Sequence, residues 1–271
     1  MNTRLATYSL SYPSPSQTWL GSCLEILLPT QCLVCSRPLR GWSICCRCRP
    51  ALPDLHNIQA HRCRCCFEPI AQHSQHSSLC DTCVLFPQSA DSIRFLWEYE
   101  GLARDYIRTM KYRPSQKLLK LASSLLSSAT PLLFPERRWD MIVPIPSSGK
   151  HFQKRLLHPC VELAQEVAKS HSLHVANILE HDKSRKPQAT LPHAERLRRI
   201  GKLFSVRNPD RVRGMRVLVV EDVITTGATI AAATSQLKRS GALTVDVLAL
   251  ARTRVWKRFR QRLHALIPLA G

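Results

Sequence analysis

The chain has 271 residues, of which 44% are apolar; this is room for one α/β domain of roughly 180 residues and a small additional module. The apolar content excludes wholesale disorder. The 39 Lys and Arg residues outnumber the 19 Asp and Glu residues and give a formal net charge of +20, which favours contact with nucleic acid, a phosphorylated ligand or an anionic membrane surface.

Residues 1–28 are predicted to form an N-terminal tail that contains an amphipathic helix. The apolar stretch from Trp19 to Leu28 is short, contains Glu25 and is followed by Pro29. A signal peptide would have a basic start and a longer apolar run, and no stretch reaches the roughly 18 to 20 apolar residues that span a bilayer. The expected location is therefore the cytoplasm, where clustered cysteines bind metal more often than they form disulfides.

Residues 29–88 are rich in cysteine and are predicted to form a double zinc ribbon. Eight cysteines form four C-x-x-C pairs, which are Cys32/Cys35, Cys45/Cys48, Cys63/Cys66 and Cys80/Cys83. Two intervening residues let one turn direct both thiolates at the same tetrahedral Zn²⁺, and two turns complete a four-sulfur shell. The spacing allows consecutive pairs to share a metal, or a cross-braced arrangement that joins the first pair to the third and the second to the fourth.

Disulfides, an iron–sulfur cluster and buried free thiols are the alternatives to structural zinc. The reducing compartment argues against disulfides, and the ribbon-like spacing argues against cluster motifs. Cys46 and Cys65 stand beside members of pairs, which leaves the ligand assignment at these two turns open. The isolated Cys23 and Cys160 are predicted to be core residues.

Residues 89–271 are predicted to form one α/β domain, because strand and helix patterns alternate from about Asp91 onward. The predicted strands are Ser92–Tyr99, Met141–Ile145, Val175–Leu179, Val217–Val220 and Val245–Ala249, and the predicted helices are Leu102–Tyr112, Gln116–Ser127, Phe152–Lys169 and Thr229–Arg239, before a basic helical tail. This order predicts a parallel sheet covered by helices on both faces. Such sheets bind ligands at the carboxyl ends of their strands.

The stretch Arg216–Thr229, which reads R-V-L-V-V-E-D-V-I-T-T-G-A-T, carries the clearest functional signal. An apolar strand ends at two acids, Glu221 and Asp222, and a short loop then opens a helix. The loop consists of Thr225, Thr226, Gly227, Ala228 and Thr229. Backbone N–H groups at a helix start attract phosphate, threonine hydroxyls add hydrogen bonds, and glycine permits close approach.

The two acids suit the sugar of a phosphorylated pentose. Carboxylates accept hydrogen bonds from the vicinal hydroxyls of a ribose, or help to hold Mg²⁺ bound to them. A capped helix without a ligand is the alternative interpretation. A nucleotide P-loop is excluded, because no lysine follows the glycine.

These residues resemble a known family. The stretch around Glu221 is similar to the phosphoribosyl pyrophosphate motif of type I phosphoribosyltransferases, and nearly the whole chain resembles the ComF/GntX family of competence-associated proteins. The resemblance implies a zinc ribbon before a type I phosphoribosyltransferase-like parallel sheet with flanking helices. It implies that Glu221 and Asp222 contact the ribose of phosphoribosyl pyrophosphate, bound with Mg²⁺, and that Thr225–Thr229 cradle its 5′-phosphate.

The resemblance extends to other positions of the chain. Its pyrophosphate loop corresponds to Pro146, Ser147 and Ser148, its lysine before the first long helix to Lys111, and its flexible loop to Pro187, Gln188, Leu191 and Arg196. The segment Arg155–Pro159 departs from the R-G-F-N-Q pattern of the family, so the resemblance implies no role for it.

Basic side chains cluster in the predicted α/β domain and predict contact with nucleic acid. The residues predicted to contact single-stranded DNA are Lys150, Lys154, Arg155, Arg185, Lys186, Arg254 and Arg258. Lys and Arg neutralise backbone phosphates. Aromatic rings for base stacking are scarce nearby, and a solvated basic helix face is the alternative.

The resemblance predicts a ComF-like protein whose phosphoribosyl pyrophosphate-binding domain acts in DNA uptake, natural competence or the use of imported DNA, with single-stranded DNA and other competence proteins as partners. An active phosphoribosyltransferase of nucleotide metabolism is one alternative, for which the sequence identifies neither the acceptor nor the catalytic residues. A non-enzymatic sensor of phosphoribosyl pyrophosphate is the other, because a fold does not fix a function.

Overall fold

The computed structural model divides the chain into two compact units, Met1–Ala51 and Leu52–Gly271. It describes residues 30–32, 35–39, 45–48, 61–70, 78–85, 87–112, 116–146, 158–181 and 203–253. The predicted N-terminal and C-terminal helices lie outside these residues. Among the helices within the described ranges, none combines the length and the apolar character that a membrane span needs.

A short hairpin in the first unit carries the first cysteine pair. Strands β1 (Thr30–Gln31) and β2 (Pro38–Leu39) pair antiparallel, and the N–H of Ser36 donates to the carbonyl of Cys32 at 2.8 Å. Ser36 has a φ of 58°, a left-handed conformation that closes a tight turn. Cys32 and Cys35 therefore share one turn between the two strands.

The second unit contains the third and fourth cysteine pairs together with the α/β sheet. Its elements are α1 (Asp81–Leu85), β3 (Ser92–Glu98), α2 (Gly101–Tyr112), α3 (Gln116–Leu133), β4 (Met141–Pro144), α4 (Pro159–His171), β5 (Leu179–His181), β6 (Phe204–Val206), a 3-10 turn (Pro209–Arg211), β7 (Arg216–Ile224), α5 (Ala228–Arg239) and β8 (Thr244–Arg252). The predicted module boundaries at residues 28/29 and 88/89 stay predictions.

The main sheet of the described residues has the strand order β3-β8-β7-β4, and all neighbouring strands are parallel. The central strands β7 and β8 supply the core: residues 217–220 and 247–250 are fully buried. Strands covered on both faces read as continuous apolar runs, which is why the sequence revealed them. The predicted parallel sheet with flanking helices is confirmed.

Helix α3 is longer than predicted. It continues past Ser127 to Leu133, because Ala129 and Leu133 remain buried and extend the apolar face. Pro131 lies in its last turn. The hydroxyl of Ser127 donates to that of Ser170 at 2.8 Å, which joins α3 to α4.

Two other elements begin later than predicted. Helix α4 begins at Pro159. Proline is tolerated there because the N–H that it lacks would have no hydrogen-bond partner in the first helical turn. The predicted strand Val175–Leu179 contributes a single bridge between Val175 and Ile142. The strand β5 instead begins at Leu179 and pairs antiparallel with β6. The start of the predicted strand therefore bonds to Ile142 in β4, and its end bonds to residues that follow it in the sequence.

Candidate functional site

Strand β7 contains both predicted acids within the sheet rather than at the end of the strand. It runs to Ile224, two residues beyond Asp222. Adjacent strand residues face opposite sides, and the surroundings of the acids differ accordingly: Glu221 is 9% exposed and Asp222 is half-buried. Pairing with β8, which includes Glu221 opposite Ala249, fixes the backbone of the acid pair.

Glu221 faces the first turn of α4. The Sγ of Cys160 donates to Oε1 of Glu221 at 3.4 Å, and the N–H of Asp222 donates to the same oxygen at 3.1 Å. Burial, with the neighbouring charge of Asp222, raises the pKa of Glu221 to about 8. Burial and the two carboxylates also raise the pKa of the Cys160 thiol, so the thiol remains a hydrogen-bond donor at neutral pH.

Asp222 faces the last turn of α2. The Nζ of Lys111 lies 2.9 Å from Oδ2 of Asp222, and the N–H of Val223 donates to Oδ1 at 2.6 Å. Burial disfavours the charged ammonium of Lys111, but the Asp222 carboxylate outweighs burial and raises the pKa of Lys111. Lys111 and Asp222 therefore face each other as an ion pair beside the loop that follows β7.

Residues 225–229, named the 225–229 loop, connect β7 to α5 and include the first two residues of that helix. Thr225 and Thr226 are exposed, and Gly227 has a φ of 77° directly before α5 begins at Ala228. The hydroxyl of Thr226 accepts a hydrogen bond from the N–H of Ala228 at 3.4 Å. The first N–H groups of a helix have no intrahelical partner and lie at its positive end, so this junction can receive an anion.

If the 225–229 loop binds a 5′-phosphate, as the family resemblance implies, Gly227→Ala should weaken the binding of ribose 5-phosphate by about tenfold. A left-handed residue with a Cβ is strained by about 1–2 kcal/mol and relaxes by turning the loop amides. Isothermal titration calorimetry measures the affinity. Gly214→Ala is the matched control, because Gly214 has a similar φ of 73° and open space around an added Cβ. Equal affinities of the two variants would contradict a binding role of the loop.

Residues 145 and 146, which directly follow β4, lie beside β7. The N–H of Ile145 donates to the carbonyl of Val220 at 2.9 Å, and Nε2 of His181 lies 3.0 Å from the carbonyl oxygen of Pro146. Pro146 thus lies near the acid pair in the described structure. The other two residues of the predicted pyrophosphate loop, Ser147 and Ser148, lie outside the described residues.

The free energy of unfolding is expected to fall as pH rises from about 4.5 to about 8, because the folded state raises the pKa of Glu221 from 4.5 to about 8. The folded chain holds this proton more tightly than the unfolded chain, so the contribution is complete below the lower value and is lost through the upper one. The contribution of Glu221 to the free energy of unfolding amounts to about a few kcal/mol.

Urea unfolding across this pH range, without added Mg²⁺, measures the effect. Glu221→Gln keeps a neutral side chain and should flatten the pH profile. Glu166→Gln, which removes a half-exposed carboxylate from α4, is the control and should leave the slope unchanged. Parallel profiles for the wild type and Glu221→Gln would refute the assignment.

The first cysteine cluster consists of Cys32, Cys35, Cys45 and Cys48, whose four Sγ atoms lie within 4.8 Å of one another. The Sγ atoms of Cys35 and Cys45 are 3.7 Å apart, and the N–H of Cys45 donates to Sγ of Cys32 at 3.4 Å. All except Cys35 are buried. Four thiols at this separation, with a backbone donor to sulfur, could hold a metal such as zinc.

The second cysteine cluster consists of Cys63, Cys66, Cys80 and Cys83, whose Sγ atoms also lie within 4.8 Å of one another. The Sγ atoms of Cys66 and Cys80 are 3.6 Å apart, and the N–H of Cys80 donates to Sγ of Cys63 at 3.3 Å. The arrangement repeats that of the first cluster. Of the two pairings that the sequence left open, the structure therefore has the consecutive one, and Cys46 and Cys65 belong to neither four-thiol group.

The seven basic residues predicted to contact DNA lie outside the described residues; they are Lys150, Lys154, Arg155, Arg185, Lys186, Arg254 and Arg258. The predicted flexible loop around Arg196 lies outside them as well. The DNA contacts therefore stay predictions.

Comparison with known proteins identifies the class. Residues 115–261 match the phosphoribosyl transferase domain family; this is more than half of the chain, and the chain belongs to that family. The chain is also similar to the DNA utilization protein YhgH of Salmonella typhimurium strain LT2, with 29% identity over 84% of this chain and 99% of the relative, and to YhgH of Escherichia coli strain K12, with 26% identity over the same shares. The resemblance to the ComF/GntX family is thereby confirmed.

Two solved structures are similar to part of the chain. Adenine phosphoribosyltransferase from Saccharomyces cerevisiae has a TM-score of 0.37 and 16% identity, over 54% of this chain and 75% of that chain. Glutamine phosphoribosylpyrophosphate amidotransferase from B. subtilis has a TM-score of 0.38 and 18% identity, over 54% of this chain and 30% of that chain.

Proposed function

We propose that this protein binds phosphoribosyl pyrophosphate, or another ribose-5-phosphate group, and acts in the utilisation of DNA. The observation that carries the proposal is the junction of β7 and α5, where the acid pair Glu221 and Asp222 directly precedes the 225–229 loop. One end of this junction supplies carboxyl oxygens that accept hydrogen bonds, and the other supplies backbone N–H donors. A ribose phosphate needs both, since its hydroxyls donate hydrogen bonds and its phosphate accepts them.

In the proposed complex, Glu221 and Asp222 accept hydrogen bonds from the ribose hydroxyls, and Thr225, Thr226, Gly227, Ala228 and Thr229 bind the 5′-phosphate. Lys111 stabilises the ionised Asp222 through their 2.9 Å contact. The pyrophosphate contacts the predicted pyrophosphate loop, which consists of Pro146, Ser147 and Ser148. When bound with the ligand, Mg²⁺ neutralises pyrophosphate charge.

Structural zinc is the proposed occupant of both cysteine clusters. Each cluster offers four sulfur atoms and a backbone N–H directed at one of them. This donor set matches the tetrahedral thiolate sites of zinc. The hydrogen bonds from Cys45 and Cys80 would stabilise the thiolate charge of the metal-bound state.

Contact with single-stranded DNA is the proposed role of seven basic residues. The relatives named as DNA utilization proteins are covered over 99% of their length, and the net charge of +20 favours a polyanionic partner. Lys150, Lys154, Arg155, Arg185, Lys186, Arg254 and Arg258 are the residues proposed to contact the phosphates.

Two measurements on the wild-type protein test the proposal. Calorimetry with phosphoribosyl pyrophosphate and Mg²⁺ should show saturable binding to metal-loaded protein, and absence of heat at millimolar ligand would remove the ribose-phosphate site. The affinity for a labelled DNA single strand should fall steeply as salt rises, because bound Lys and Arg displace counterions. A flat salt response would count against phosphate contacts.

Transfer of the phosphoribosyl group to an acceptor is the second candidate function. It is supported by the hydrogen bond from Ile145 to Val220, because Ile145 directly precedes the predicted pyrophosphate loop and Val220 directly precedes the acids. The bond from C1 of the ribose to pyrophosphate would break and a bond from C1 to the acceptor would form, with rate gained from positioning and charge stabilisation. Pyrophosphate release across a panel of nucleobases tests it; binding without release would favour a sensor.

A further inference from the structure

The second cysteine cluster lies directly on the main sheet. The N–H of Ile93, in β3, donates to the carbonyl of Cys65 at 2.7 Å. The ring of Phe67 meets that of Phe95 edge-on, with centroids 5.5 Å apart, and both rings are buried. The cysteine turn at residues 63–66 is therefore packed against the same domain that carries the 225–229 loop.

Arg252, the last residue of β8, joins this turn to the sheet. Its side chain is only 2% exposed. Its Nη1 donates to the carbonyl of Cys66, its Nε lies 3.3 Å from Oε1 of Glu68, and its guanidinium stacks over Phe95 at 5.5 Å. Such a buried cation depends on the acceptors that surround it; the Cys66 carbonyl belongs to the cysteine turn, and Glu68 lies two residues after it.

The backbone at Arg252 contacts the start of the 225–229 loop. Arg252 pairs with Ile224, the residue that precedes the loop. Thr253 donates twice to this segment. Its N–H donates to the carbonyl of Ile224 at 2.9 Å, and the Thr253 hydroxyl donates to the carbonyl of Thr225 at 3.3 Å. Arg252 also lines the same small cavity as Gly227. A displacement of Arg252 would therefore be transmitted through these backbone contacts to Thr225, the first residue of the loop.

A second connection runs from the cysteine cluster to α5. Ser89 lies four residues after α1, the helix that carries Cys83. Its hydroxyl shares a hydrogen bond with that of Thr234 and lies 3.3 Å from the carbonyl of Ala231, both in the helix that the loop opens. Ser89 thus joins the chain that follows the cluster to the helix that follows the loop.

We propose that the metal-loaded second cysteine cluster positions the 225–229 loop, with Arg252 as the positioning residue, so that loss of this metal weakens ribose-phosphate binding. The inference rests on the proposed function, in which this loop binds the phosphate. The metal holds residues 61–70 and 78–85 together. Without it, the Cys66 carbonyl and Glu68 are no longer fixed opposite Arg252, and the buried guanidinium moves towards other acceptors and takes the end of β8 with it.

Glu68→Gln tests the coupling without removing a cysteine. It leaves the four thiols intact but removes the charge that faces Arg252, and Glu68 is partly exposed, so the fold should persist. The expected result is unchanged zinc content, a two- to thirtyfold weaker affinity for ribose 5-phosphate, which is about the range for coupled positions, and faster amide hydrogen exchange at residues 225–231. Asp210→Asn, which breaks an exposed Arg–Asp pair, is the matched control and should change neither readout.

Cys80→Ser and Cys35→Ser test the role of the metal itself. Each removes one thiol from one cluster, but only Cys80 belongs to the cluster that contacts Arg252. We expect Cys80→Ser to accelerate exchange in the 225–229 loop and to weaken ribose 5-phosphate binding, while Cys35→Ser leaves both unchanged. If Cys80→Ser does not fold, Glu68→Gln decides the question.

The readouts separate this inference from the proposed function. Failure of the wild type to bind either ribose 5-phosphate or phosphoribosyl pyrophosphate with Mg²⁺ would remove the proposed function, and the exchange rates would still show whether the cluster positions the loop. Normal wild-type binding, together with affinity and exchange unchanged in Glu68→Gln, would overturn the inference alone.

Discussion

Asp222→Asn is expected to weaken the binding of phosphoribosyl pyrophosphate by about 100-fold. The carboxylate is held at 2.9 Å from Lys111 and accepts from the N–H of Val223, and in the proposed complex it also accepts from the ribose. A charge-assisted hydrogen bond contributes about 1.5–3 kcal/mol, and 1.4 kcal/mol corresponds to about tenfold in affinity. Calorimetry at fixed Mg²⁺ concentration measures the loss.

A double variant distinguishes lost ligand contacts from damage to the fold. Asp222→Asn leaves the ammonium of Lys111, which is 24% exposed, without its carboxylate partner, so the free energy of unfolding should fall by about 1–3 kcal/mol. Lys111→Gln/Asp222→Asn should recover stability without recovering affinity. Asp210→Asn, with a side chain 93% exposed, should match the wild type in both. If Asp222→Asn bound phosphoribosyl pyrophosphate with wild-type affinity, the proposed contact between Asp222 and the ribose would be refuted.

Paired cysteine substitutions are expected to remove zinc in a pattern that follows the two clusters. The wild type should contain about two zinc ions per chain. Cys32→Ser/Cys45→Ser should retain about one, because both cysteines belong to the first cluster. Cys45→Ser/Cys80→Ser should retain about none, because each substitution removes a ligand from a different cluster. Elemental analysis of purified protein measures the content.

The cross-braced pairing makes the opposite prediction for the same variants. It would leave about one ion in Cys45→Ser/Cys80→Ser and about none in Cys32→Ser/Cys45→Ser. The control is Cys46→Ser, since Cys46 is exposed and lies outside both four-thiol groups; it should retain the wild-type content. Loss of an ion from the control would show that the ligand set includes Cys46.

The central strands and the 225–229 loop could be predicted because their signals are continuous along the chain. Residues 217–220 are apolar at every position, as strands buried on both faces are, and the 225–229 loop follows within a few residues. The helix was predicted to begin at Thr229 and begins one residue earlier, at Ala228, directly after the left-handed Gly227. The extension of β7 through Glu221 and Asp222 was not predictable, because pairing with β8 decides it.

The neighbours of the acids could not be assigned from sequence patterns. Cys160 lies 61 positions before Glu221, and as an isolated cysteine it was predicted only to be a core residue. Lys111 was indicated by family resemblance, but its contact with Asp222 was not. Each contact depends on how α4 and α2 pack on the sheet, and the helical apolar pattern fixes which face is buried without fixing which strand residue it meets.

The sequence by itself determined the local chemistry: four cysteine turns, an acid pair, and a loop that opens a helix. Two-residue spacing and strand-to-helix order follow from backbone geometry over a few residues, so they can be identified without a fold. Only the tertiary structure decided that consecutive cysteine turns share a cluster, and that Arg252 links the second cluster to the loop. Those contacts join distant segments, and burial in a common core selects them among many that the same sequence permits.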